Sequence, residues 1–102
     1  SPETETYLVT GDSIKYADFV NGKKNAAAIC FAEEYQNINI HKIVYGSGSD
    51  AATLAKNLFA VLREADGIGA EKLYVHAPDK SGVGLAVYNR LIRAAAFKVI
   101  EL

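Results

Sequence analysis

Apolar positions along the chain fall into two patterns, short continuous runs and longer stretches with spacings of three and four. The short runs, Tyr7–Thr10, Asn25–Ala32, His41–Tyr45, Lys72–Ala77 and Lys98–Leu102, read as strands. Between the first two, Asp12 or Ser13 can cap a helix that runs to about Asn21, with Gly22 just past its end. A second helix extends from Asp50 to about Asp66, where Leu54, Leu58, Val61, Leu62 and Ala65 share one face. A third, Gly84–Ala96, is expected to turn Leu85, Tyr88, Leu91, Ile92 and Ala95 inward. The alanines of Asn25–Ala32 favour helix, so its reading as a strand requires burial on both faces. Glu33–Asn39 reads as a polar connection, and Pro78 halts the fourth strand.

Strands alternating with helices of this length cannot pair as hairpins. Right-handed crossovers are required, and the expected fold is α/β: a Rossmann-like three-layer sandwich with a mainly parallel sheet of about five strands. Residues 1–6 read as a polar tail or linker remnant and 7–102 as a single Rossmann-like domain. The opening Ser1-Pro2-Glu3-Thr4-Glu5 has no apolar period, and the chain has no methionine, which leaves open its excision from a longer protein.

Composition narrows the function classes. Of the 102 residues 50% are apolar and 23% charged, as in ordinary globular chains, and the formal net charge is −1, so no broad positive field awaits a polyanion. The lone Cys30 lies in an apolar run, where a thiol behaves as a small hydrophobe, and it agrees with a reducing cytoplasm. No apolar stretch approaches the roughly 20 residues that span a bilayer.

Two glycine loops precede helices, where free N–H groups could receive an anion. In Gly46-Ser47-Gly48-Ser49-Asp50 the glycines allow close approach and the serines could donate, but Asp50 at the cap would occupy those N–H groups and repel a phosphate. A dinucleotide fingerprint also needs an acid about 20 residues on. Asp79 lies 29 residues past Asp50 and behind a proline, so the loop reads as turn and cap ahead of anion site. Lys80-Ser81-Gly82-Val83-Gly84 offers a lysine and a serine instead, and would receive an anion better. His76 and Asp79 could form an acid–base pair, against the commoner case of a strand-end histidine bonded to a loop. The carboxylates Glu33-Glu34 and Glu64-Asp66 read as solvated surface or caps. There is no Walker loop, no zinc-spaced histidine pair and no nucleophile elbow.

From Asn57 onward the text NLFAVLREAD and KLYVHAPDKSGVGLAVYNRLIRAAAFKVIEL resembles the C-terminal domain of the long, two-domain threonylcarbamoyl-AMP synthases. Leu58, Phe59, Leu62, Arg63, Glu64 and Asp66 fall on its Leu-Arg-Glu-x-Asp helix, and Gly82, Gly84, Leu85, Ala86, Asn89, Arg90 and Leu91 on its Gly-x-Gly-Leu-Ala-x-x-Asn-Arg-Leu helix. YLVTG and YGSGSD match in kind. The resemblance implies a parent enzyme that makes threonylcarbamoyl-adenylate from threonine, bicarbonate and ATP, in threonylcarbamoyladenosine modification of tRNA. It also implies that the chemistry, with ATP and possibly magnesium, belongs to an N-terminal YrdC-like domain bearing Lys-x-Arg and Ser-x-Asn motifs. Neither motif occurs here, nor does the family's basic, aromatic linker.

The expected role is therefore accessory: regulation of, or docking on, a YrdC-like catalytic domain in the same or a partner chain, with no catalytic residue or cofactor of its own and no direct tRNA binding. Asn89 and Arg90, at the edge of the third helix, are the candidate docking residues, and Arg90 could equally bridge Glu101 or Asp79. Two other readings are a free-standing nucleotide-binding module using the two glycine loops, and an enzyme built on His76 and Asp79.

Overall fold

The computed structural model describes residues 4–96 and 98–102. Strands of three to six residues gain little alone, and here five of them pair side by side: β1 (Glu5–Thr10), β2 (Ala26–Phe31), β3 (His41–Gly46), β4 (Lys72–His76) and β5 (Val99–Glu101). The order is β3-β2-β4-β1-β5 and every pairing is parallel. Helices α1 (Ser13–Asn21), α2 (Ala51–Asp66) and α3 (Val83–Ala94) make three of the crossovers, and a 3-10 helix, Ala32–Asn37, occupies most of the stretch read as a polar connection. β1 begins two residues before the apolar run that revealed it, because Glu5 and Thr6 pair with Lys72 and Leu73.

The chain steps one way across the sheet from β1 to β3 and the other way from β3 to β5. Right-handed crossovers then send the helices of the two halves to opposite faces. Two cores result. Leu8, Ile29, Ile43 and Val75 point towards Leu54, Leu58, Val87 and Leu91 of α2 and α3, while Val9, Ala28, Cys30 and Tyr74 meet Tyr16, Ala17 and Val20 of α1. The alanines of β2 are buried on both faces, and this closeness of the two layers overrides their helical preference.

The inward face of α3 differs from the expected one. Gly84, Val87, Tyr88, Leu91 and Ala95 are buried, whereas Leu85 is 44% exposed and Ile92 half-buried. Leu85 follows Gly84 by one residue and so stands about 100° around the helix from it, outside the arc that Val87, Leu91 and Tyr88 occupy. Gly84 itself must come close: a Cβ there would lie 2.2 Å from the Asp79 carbonyl oxygen. Gly84→Ala is expected to cost about 1–3 kcal/mol, because either the loop or the first turn of α3 must move. Gly22→Ala, with no atom within 4 Å of the added Cβ, should leave the urea midpoint nearly unchanged.

Candidate functional site

β1 and β4 are neighbours whose outgoing connections leave towards opposite faces, and such a switch in direction parts the loops at the carboxyl ends of the strands. A crevice opens there. One hollow of about 440 Å³ lies between Thr10–Asp12, Ala77–Lys80 and Glu101, and another of about 270 Å³ extends towards Phe31, Glu33 and Gly48.

Beneath the crevice lies a buried polar group that sequence reading assigned otherwise. His76, 2% exposed, sits 2.5 Å through Nδ1 from Oε2 of Glu34, itself 1% exposed. Glu34 was expected at the surface or as a cap; it is buried, and it does cap the 3-10 helix, where Oε1 accepts from the Phe31 N–H at 2.8 Å. His76 was expected beside Asp79 or a loop; its Nε2 lies 2.7 Å from the Gly11 carbonyl oxygen, so the loop bond is present and Glu34 takes the place of Asp79. A carbonyl only accepts, so Nε2 carries a proton. Nδ1 and Oε2 have no other partner among the described residues, so a second proton lies between them. Tyr16 and Phe31 stack on the two faces of the imidazole, each with ring centroids 4.3 Å away.

The surrounding groups take their protonation from this centre and from burial. Burial, then the Glu34 charge, pushes the Cys30 thiol up to about 12, which leaves it inert. Burial first, then nearby negative groups, also raises Tyr16 and Tyr45. Both phenols remain neutral donors: Tyr45 donates to the His76 carbonyl, and the Tyr16 hydroxyl lies 2.8 Å from the Ile29 oxygen and 3.0 Å from that of Tyr74.

The Gly46–Asp50 loop folds over the same centre. A Cβ on Gly48 would lie 2.6 Å from the Phe31 ring, so this glycine permits the loop to press on the aromatic stack. Its N–H donates to Oε2 of Glu33 at 2.9 Å. Asp50 caps α2, accepting from the Thr53 N–H at 3.1 Å and the Thr53 hydroxyl at 2.7 Å, while Ser47 and Ser49 bond each other at 2.9 Å. In the second loop Gly82 begins α3 with φ 55° and no side-chain cap, Ser81 accepts from Gly84 N through its carbonyl, and Lys80 Nζ lies 4.5 Å over the Tyr88 ring. Asn89 and Arg90 are exposed, and no ion pair joins Arg90 to Asp79 or Glu101 among the described residues.

A parallel five-stranded sheet with helices on both faces and its crevice at the strand ends defines a Rossmann-like α/β domain. The family described as threonylcarbamoyl-AMP synthase, C-terminal domain, matches residues 1–96, and the chain belongs to it. It is 30% identical to the threonylcarbamoyl-AMP synthase of Pyrococcus abyssi, an alignment covering all of this chain and 31% of that protein. The crystal structure of P. abyssi Sua5 complexed with L-threonine superposes with a TM-score of 0.75 at 23% identity, again over 31% of its length. The C-terminal Sua5 domain from Pyrococcus horikoshii matches end to end, with a TM-score of 0.70 and 28% identity. The chain thus spans about a third of the length of the full-length relatives it matches.

Two outcomes test this centre. Glu34→Ala should cost about 3–5 kcal/mol in urea unfolding, since it strands a buried imidazole and an N–H. The Glu34→Met/His76→Phe double variant should recover much of that loss, which a double-mutant cycle would measure as strong coupling. For the cap, the Thr53 hydroxyl and then its N–H hold the Asp50 carboxyl below its usual range. Its contribution is therefore present above the unfolded carboxyl's pKa and is lost as pH falls through the lower folded value. Asp50→Ala should lower the melting temperature near neutral pH, and the difference from the unmodified chain should close in acid.

Proposed function

We propose that this chain acts as an accessory, non-catalytic domain of a threonylcarbamoyl-AMP synthase, serving threonylcarbamoyladenosine modification of tRNA in the cytoplasm. It works by docking on a YrdC-like catalytic domain in the same or a partner chain, which handles ATP, any magnesium and threonine. The family match at a third of the relatives' length carries this reading. The crevice chemistry supports it, since the residues present do not suit a triphosphate. Asp12, Glu33, Asp79 and Glu101 line it, and a carboxylate already holds the Gly48 N–H. Both glycine loops then act as structural supports of the strand ends. Asn89 and Arg90, exposed on α3, are available to the partner.

The purified chain, given ATP, threonine and bicarbonate, is expected to release no pyrophosphate above a protein-free blank, because it lacks groups to position and neutralise the nucleotide. ATP should also leave its melting temperature unchanged. A ligand held only by the folded state must raise that temperature, so a clear rise would favour the nucleotide-binding alternative.

A further inference from the structure

Among the described residues, four of the six large apolar side chains that stand exposed gather at one end of the molecule. Ile14, 77% exposed, is in the first turn of α1, Val83 and Leu85 are in the first turn of α3, and Leu102 follows β5. Each of these positions lies at the carboxyl edge of the parallel sheet and is next in the chain to a residue that lines a hollow there, Ser13, Gly84 or Glu101. The walls of the crevice are acidic. Asp12 and Glu33 serve the N–H groups of Lys15 and Gly48, whereas the carboxylates of Asp79 and Glu101 have no hydrogen bond or ion pair among the described residues. Lys80, the basic residue of the larger hollow, lies over the Tyr88 ring.

We propose that this edge is a docking surface for a protein segment that offers lysine or arginine side chains together with aliphatic ones, carried by the remainder of the parent enzyme. The inference rests on the accessory-domain reading and specifies its contact. A cationic head entering the hollow of about 440 Å³ meets Asp79 and Glu101, and its methylene stem and aliphatic neighbours cover Ile14, Leu85 and Leu102. An anionic ligand or a nucleic acid would meet uncompensated carboxylates. A second copy of the same edge would set acid against acid.

Hydrogen exchange, compared between the isolated chain and the full-length enzyme that carries it, tests the surface. The segments 11–14, 79–85 and 101–102 should exchange at least about tenfold more slowly in the full-length protein. Asp79→Lys/Glu101→Lys in that protein should abolish the added protection, while the same pair in the isolated chain leaves its melting temperature within a degree or so, as exposed substitutions do. Leu85→Ser should weaken the protection by itself. Added protection confined to other segments, such as 89–93, would overturn the proposed surface and leave domain docking intact. No difference in any segment would overturn both, and protection that survives the charge reversal would overturn the basic partner.

Discussion

One proton held between Glu34 and His76 organises the functional end of this domain. His76 ends β4, its Nε2 bonds the carbonyl that follows β1, its own carbonyl receives the Tyr45 hydroxyl from β3, and Glu34 ties it to the last N–H of β2. Four strand ends therefore converge on one residue, His76, through its side chain and its carbonyl. Burying an ionisable pair is costly unless its hydrogen-bonding capacity is met, and here each nitrogen and each carboxylate oxygen has a partner. Removal of either member leaves a buried group that nothing else can satisfy.

That centre explains why the glycine loop approaches so closely. Phe31 stacks on the imidazole, and Gly48 rests on the outer face of Phe31, where no Cβ fits. The Gly48 N–H of the loop then meets Glu33, and the Thr53 N–H in the first turn of α2 meets Asp50, both carboxylates of the protein itself. A pattern that elsewhere cradles phosphate is here filled from within, by side chains of the same charge.

The consequence is a strand-end crevice with an acidic lining and an apolar rim. Many parallel α/β sheets place a ligand at this position because the loops part there and helix N-termini face it. In this domain the geometry is retained and the electrostatics are reversed. This lining is the ground on which we propose contact with a protein surface over capture of a nucleotide, for a chain that spans about a third of its longer relatives.

Apolar periodicity by itself determined the succession of strands and helices, because burial of a continuous run or of a helical face is a local pattern that solvent exclusion enforces. The caps at Asp12 and Asp50 were legible for the same reason, since a cap and the N–H it serves lie three residues apart. The motif Gly82-x-Gly84-Leu85-Ala86-x-x-Asn89-Arg90-Leu91 likewise pointed to the family. Only the tertiary structure decided that Glu34 turns inward to His76, 42 residues away, and not to the surface with Glu33. Pairing across parallel strands depends on strand order, which the sequence does not display, and Glu33 and Glu34 are alike in every local property. Leu85 shows the same limit: its spacing admits an inward position, but which arc of α3 faces the sheet is set by the close contact of Gly84 with Asp79.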